Sequence, residues 1–337
     1  MIDSYWLMNF SLKGYWIMRI GLLYDAQNYT WNSVEKDFSL LSEITKIAKG
    51  FEELNYEVDL INGINELVNR ITQANKAPWD IVMNHISWTR TLKKESAATF
   101  LEFYKIPYIG NSQKSLTICA DKYITKLLAK ELDIPTPKYI YQEYPYQIFP
   151  DYNEIVMCLG SPFVMKANGT SGSMGVVKIS SPDMYKKKWH EFIQKWHEGI
   201  LFEKFIEGSD LTIPIISEGQ KPRVLGAVQY LDSENKTIPF FSKNLKYYED
   251  ISCAKYTDDI ISSFLKNYSK KIHIATQCTI FSRCDFRLTK TGEIYFLECN
   301  ATPEINPNGA FITAGDLAYP DLLQHIITET QASITKT

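Results

Sequence analysis

Residues 283–300 read RCDFRLTKTGEIYFLECN and set two acids, Asp285 and Glu298, into what the pattern predicts to be a β-hairpin. The runs FSRCDFRLT and EIYFLECN alternate or are apolar as strands are, and Lys290-Thr291-Gly292-Glu293 between them has turn chemistry. A loop of Thr291-Gly292, or of four residues centred there, makes paired positions sum to a constant. Asp285 then lies opposite Glu298 and Arg283 opposite Asn300, all on one face because side chains alternate along a strand. Like charges about 5 Å apart across a strand pair destabilise a sheet. A hard divalent cation, held by both carboxylates and an amide oxygen, would offset them. An exposed face whose acids are solvated or paired with Arg283 and Arg287 would do so too, and the rest of the chain must decide.

The chain has 337 residues, enough for two or three subdomains with buried cores. Hydrophobic residues make up 45% and charged residues 22%, as in ordinary soluble globular proteins. A net charge of -3, with no basic run interleaved with aromatics, excludes an obvious nucleic-acid surface. Six cysteines, at 119, 158, 253, 278, 284 and 299, are scattered without metal-ligand spacing, which suits a reducing cytoplasm. The apolar start is interrupted by Asp3, Asn9 and Lys13 and is too short to cross a bilayer. It also lacks the layout of a signal peptide. Residues 1–18 are therefore expected to be an N-terminal extension, ending directly before the strand RIGLLYD.

From Arg19 to Gly110 strand-like and helical segments alternate, which predicts a parallel sheet with helices on its faces. No GxGxxG follows the first strand, so a dinucleotide fold is not supported. One helix is expected from about Cys119 to Leu132, ended by Pro135 and Pro137. SPFVMKA reads as a strand, a helix follows near Tyr185 to His197, and ILFEKFI opens a β-rich half closed by a helix around Tyr319 to Thr328.

Three further stretches carry chemistry. VMKANGTSGSMGVVKI puts Lys166 at a strand end before Gly172, Ser173 and Gly175. Such a loop can turn N–H groups toward a phosphate, and a lysine adds a point charge, although a plain flexible hairpin reads the same way. Lys122 sits early in a helix, where most lysines are solvated. In ILFEKFIEGSDLTI a strand carrying Glu203 leads through a Gly208 turn to Asp210, as a nucleotide-contacting strand or an ordinary edge strand would.

Together, ADKYITK, FVMKANGTSGSMGV, LFEKFIEGSDLTI and RCDFRL with YFLECNATP resemble the ATP-grasp superfamily, and most closely the D-alanine–D-alanine ligase family. The resemblance covers most of residues 19–330, in the family's order. It implies an α/β and α+β chain: an N-terminal α/β domain (19–111), then central (112–202) and C-terminal (203–330) α+β subdomains that clasp ATP. It also implies a C–N bond-forming ligase that uses ATP and Mg²⁺ (or Mn²⁺) to activate a small carboxylate as an acylphosphate and join it to an amine. Nucleic acid and membrane are not expected partners, and a homodimer would be unsurprising.

Carried over position by position, Lys122 and Lys166 resemble the phosphate-binding lysines. Glu203, Lys204 and Ile206 match the adenine segment, Asp210 the ribose contact, and Leu297 the apolar residue under the base. Asp285, Glu298 and Asn300 match the metal ligands, and Arg283 the arginine on the oxyanion. Lys246, with Lys243 as its rival, resembles a loop lysine that closes on the γ-phosphate. Ser171, Gly172 and Ser173 fall in the glycine- and serine-rich lid, with Ser173 on the catalytic side.

The amino-acid half departs from the family. LLYDAQNYTWNS lacks the glycine-rich pattern after the first strand, and HISWTRTLKKES lacks the GEDG run. ATPEINPNGAF puts Glu304 where the family has a glycine, and Gly309 near the serine position. The expected substrates are therefore other than two D-alanines. D-alanine–D-alanine ligase proper, or a nucleotide-binding regulator without chemistry, are the alternatives. The six site residues retained together, Arg283 included, favour an enzyme.

Overall fold

The structure is a computed structural model that describes residues 17–25, 38–74, 77–86, 94–145, 149–238 and 251–335. Alternation of apolar runs and amphipathic segments produces, as expected, a parallel sheet: β1 (Arg19–Tyr24), β2 (Glu57–Asn62), β3 (Ile81–Asn84) and β4 (Tyr108–Ile109), in the order β2-β1-β3-β4. Helices α1 (Phe38–Glu53), α2 (Ile64–Ala74) and α3 (Lys94–Phe103) connect them. All four residues of β3 are buried, as a parallel strand covered on both faces requires.

The expected helix from Cys119 to Leu132 is two helices, α4 (Gln113–Ala120) and α5 (Lys122–Glu131). Asp121 separates them. Its backbone is extended, and its side chain accepts from Ile124 N at 2.9 Å as the N-cap of α5. Lys122 is thereby fixed at the first position of the second helix.

A four-stranded antiparallel sheet follows, built from β5 (Tyr139–Gln142), β6 (Phe163–Ala167), β7 (Val176–Ile179) and β8 (Ile200–Lys204), in the order β5-β8-β6-β7. Helices α6 (Tyr152–Leu159) and α7 (Pro182–Lys195) cover it, with Phe163, Tyr185, Trp189 and Phe202 in the shared core. Because β8 pairs with β5 and β6, a subdomain boundary after residue 202 would cut this strand.

The third sheet holds β9 (Ser209–Glu218), β10 (Lys221–Val224), β11 (Val228–Leu231), β12 (Ser252–Lys255), β13 (Phe281–Leu288) and β14 (Ile294–Asn300). Its order is β12-β11-β9-β13-β14, with β10 also on β9. Helix α8 (Asp259–Ala275) packs on it, and α9 (Ala310–Gly315) and α10 (Tyr319–Ile334) end the chain. Leu322, Leu323 and Ile326 of α10 share a core with Ile20 and Leu22 of β1. The close approach needs Gly50 on α1, where a Cβ would stand 2.5 Å from Leu323 Cδ1.

Asn111, from the stretch IPYIGNS, joins the first sheet to the third. It is 1% exposed. Its amide donates to the carbonyls of Phe281 and Ala301 and accepts from Thr279 N, each at 2.7 Å. One buried amide thus sets the two outer ends of the hairpin in place.

Candidate active site

The hairpin has the expected pairs by a different route. β13 and β14 place Asp285 opposite Glu298 and Arg283 opposite Asn300. The connection, however, spans residues 289–293 and is centred on Thr291, with Leu288 opposite Ile294. That register alone would set Asp285 against Leu297. A β-bulge between Asp285 and Phe286 leaves Leu297 as the extra residue on β14 and restores the pairing of the acids. Bulges re-aim side chains, and here Leu297 and Glu298, which normal alternation would send to opposite faces, both line one cleft.

That cleft, of about 590 Å³, lies between the two antiparallel sheets and reaches the end of the first. It collects Lys122, Lys166, Ser171, Gly172, Ser173, Glu203 and Lys204 from one side. From the other it takes Ile206, Asp210, Arg283, Asp285, Leu297, Glu298 and Asn300. Every expected site residue among those described is present. Lys243 and Lys246 lie outside the described residues.

Asp285 accepts from Arg283 at 2.8 and 3.1 Å, from Thr212 Oγ1 at 2.8 Å and from the Asn300 amide at 3.1 Å. The same amide reaches Glu298 Oε1 at 3.3 Å, and Lys122 Nζ lies 3.8 Å from Glu298 Oε2. Burial and the neighbouring Glu298 push the Asp285 carboxyl up, while Arg283 opposes them. Burial pushes Glu298 up as well, but Lys122, Lys166 and Arg283 outweigh it and bring it below its ordinary value. Two carboxylates and an amide, with no thiol or imidazole, form the donor set of a hard cation. The residues present therefore fit Mg²⁺ or Mn²⁺.

Lys122 is no surface lysine. It is 5% exposed, and its Nζ donates to the carbonyls of Thr170 and Asn168. Burial lowers its pKa. Thr170 Oγ1 bonds the carbonyls of Ala167 and Met174 and so closes the loop that carries Ser171 and Gly172. Gly175, at φ +63°, must lack a Cβ, which would sit 2.9 Å from Ala167 Cβ.

The Glu203 carboxylate does not stand free in the cleft. Lys166 Nζ lies 2.7 Å from one oxygen and Lys126 Nζ 2.9 Å from the other. The Lys126 approach is a charge contact, because its aligned hydrogen bond goes to Thr136 Oγ1 at 2.8 Å. Burial pushes Glu203 up, but the two lysines hold its carboxyl at about 2. Burial takes Lys126 down to about 8 despite Glu203. Glu203 and Lys126 both stay charged at neutral pH. Lys126 was not singled out in the sequence, although it stands in ADKYITK one helical turn after Lys122.

Asp210 is held by Arg287, whose Nη1 donates at 2.7 Å while its Nε bonds the carbonyl of Ile206 at 2.9 Å. Burial pushes the Asp210 carboxyl up, and Arg287 opposes this. Between them Gly208 crosses β13 so closely that a Cβ would stand 1.9 Å from the carbonyl oxygen of Leu288. Arg287 thus ties Ile206 to Asp210, a role its place in the hairpin does not announce.

At the far end, Glu43 on α1 accepts from Ile305 N at 3.0 Å and lies 3.2 Å from His85 Nε2. Lys46, Glu304 and Asn306 line the same end, and the Asn306 amide donates to Glu304 Oε1 at 2.7 Å. Glu43, Lys46 and His85 were missed in the sequence because they meet this wall only through the tertiary fold.

Two antiparallel sheets closing on a cleft of lysines, with facing carboxylates on a hairpin, define the ATP-grasp class of C–N bond-forming ligases. Residues 128–328 match the family described as D-ala D-ala ligase C-terminus, and the chain belongs to this family. It is 26% identical over 325 residues to the D-alanine–D-alanine ligase of Bacillus anthracis, covering 95% of this chain and 99% of that one. It is 30% identical over 207 residues to that of Coprothermobacter proteolyticus, covering 60% and 66%. The Bacillus anthracis ligase complexed with ATP superposes with a TM-score of 0.73 at 21% identity, over 95% of this chain and 99% of that one. The VanG D-Ala:D-Ser ligase of Enterococcus faecalis does so with a TM-score of 0.68 at 16% identity, over 94% and 100%. No helix among the described residues is long and apolar enough to cross a membrane.

Proposed function

We propose that this chain is an ATP-dependent ligase that joins a small carboxylate to an amine, and that the pair is not two D-alanines. Lys122 and Lys166 take the triphosphate. Lys204, Ile206 and Leu297 hold the base, with Glu203 fixing Lys166 beneath it, and Asp210 takes the ribose. Asp285, Glu298 and Asn300 would hold Mg²⁺ or Mn²⁺, which neutralises phosphate charge when bound. The loop with Ser171, Gly172 and Ser173 covers the phosphates, and the family resemblance gives Lys246 as a further lysine for the γ-phosphate.

Positioning and charge stabilisation carry most catalysis of phosphoryl transfer. A substrate carboxylate oxygen bonds to the γ-phosphorus as ADP leaves. The amine nitrogen then bonds to the acyl carbon, phosphate departs and the nitrogen loses a proton. Arg283 faces the developing oxyanion of that second step. Water must be excluded, because an open acylphosphate hydrolyses.

The observation that carries the substrate reading is Glu304, an exposed acid at the far wall, next in the chain to Ile305, whose N–H donates to a second acid, Glu43. A buried substrate carboxylate needs a charge-assisted partner, and these acids favour an ammonium or another donor instead. Lys46, at the same end, is a cation that could meet a carboxylate there. The shared fold of the Enterococcus faecalis D-Ala:D-Ser ligase is consistent with a changed accepting amine. The likeness to D-alanine–D-alanine ligases over 95% of the chain favours the alternative that the usual pair is used. The test offers D-alanine alone with ATP and Mg²⁺: efficient dipeptide formation would return the chain to that reaction.

A further inference from the structure

The scattered cysteines are brought together by the fold. Cys119 is in the last turn of α4, Cys278 lies between α8 and β13, and Cys299 stands on β14 between Glu298 and Asn300. Their Sγ atoms all lie within 4.8 Å of one another, and those of Cys119 and Cys278 are 3.8 Å apart. One buried thiol behaves as a small apolar group. Three sulfurs converging from three separate segments also make a cradle for a soft cation.

The distances suit one. Four ligands at about 2.3 Å from a tetrahedral zinc set sulfur–sulfur edges of about 3.8 Å. The Cys119–Cys278 pair has that spacing already, and the other two pairs need to shorten by no more than about 1 Å, the difference between 4.8 Å and that edge. A separate observation points the same way. A small cavity of about 40 Å³ lies against the cluster, lined by Cys119 and Cys299 together with polar Thr170, Asn300 and Thr302. It has room for a single water or ion, so a water can complete the fourth position. Thr276 Oγ1, whose shortest bond is to the carbonyl of Ile272 at 2.8 Å, lies 3.4 Å from Cys278 Sγ.

We propose that Cys119, Cys278 and Cys299 bind a thiophilic divalent cation of the zinc class, at a site separate from the hard-cation site in the cleft. Binding replaces three S–H bonds with three metal–sulfur bonds and releases three protons to solvent. The centre then carries one net negative charge, and Lys122 lines the same cavity as a counter-charge. Ligand softness keeps the two sites distinct, with sulfur in one and oxygen in the other. The occupied site ties α4 and the 276–280 connection to the back of β14, the strand that carries two oxygen donors of the cleft.

The experiment titrates the reduced full-length protein with Cd²⁺ in excess Mg²⁺ and follows the thiolate-to-metal charge-transfer absorbance. A Cys158→Ser background removes the exposed thiol. The expected result is a band that saturates at one equivalent per chain, persists in Asp285→Asn, and is accompanied by a raised melting temperature. Cys278→Ser removes a ligand itself and should weaken binding by at least the roughly 10–100-fold that loss of a ligand's outer partner costs. Cys119→Ser, at a half-buried position, should do the same and keeps the test decisive if the first variant does not fold. Absence of the band at one equivalent, or a band unchanged in both serine variants, would overturn the site and leave the three thiols as packing.

Discussion

Lys166 and Glu203 form a 2.7 Å ion pair in the wall of the cleft, and Glu203 is only 3% exposed. Lys126 closes the other side at 2.9 Å and is fully buried. Removing one member of a buried charge group strands the others, at a cost of about 3–5 kcal/mol. Glu203→Gln is therefore expected to lower unfolding free energy by about that much in urea titrations, and to raise the KM for ATP because Lys166 loses its anchor. A loss below 1 kcal/mol would mean that the two lysines find other partners.

The facing acids on the hairpin make a sharper prediction. Asp285→Asn or Glu298→Gln should abolish turnover at saturating Mg²⁺ while the circular dichroism spectrum stays that of the parent. Near-parental turnover in either variant would show that the pair does not hold the metal.

Arg283 differs, because an arginine aimed at a developing oxyanion acts in the transition state more than on bound ATP. Arg283→Ala should lower kcat by roughly 10²-fold or more with ATP affinity little changed. Its bonds to Asp285 supply the rival outcome: a variant impaired only in ATP affinity would make Arg283 a support of the metal ligand.

How much of this was legible in the sequence follows from the range of each interaction. The parallel sheet and the hairpin were legible because they rest on local periodicity. The facing of Asp285 and Glu298 was reached from a turn centred half a residue off, which the bulge at Leu297 then corrected. No local pattern announces a bulge. Lys126 was missed because a lysine on a helix looks solvated until its neighbours are known, and a single residue, Asp121, broke the expected helix by capping its second half. The cysteine cluster draws on residues 119, 278 and 299, so spacing rules for local metal motifs passed over it.

His273 yields a prediction about pH. Its ring is buried and bonds Ser282 Oγ at 2.7 Å, and burial takes its pKa from 6.5 down to about 4. Between those values the unfolded chain binds more protons than the folded one, so stability rises with pH across the window and falls on acidification from 6.5 toward 4. The slope from this group is at most about 1.4 kcal/mol per pH unit. His273→Gln keeps a polar partner for Ser282 and should flatten the difference in stability between pH 6.5 and 4. An unchanged slope would show that other groups set it.

The most direct measurement is phosphate release, with product masses, from Mg²⁺-ATP and pools of amino acids and dipeptides. The expected result is release that requires both a carboxylate and an amine, matched by a product one water lighter than their sum. The same release should be lost in Asp285→Asn. No release with any pool, while ATP still binds, would contradict a ligase and leave a nucleotide-binding protein in its place.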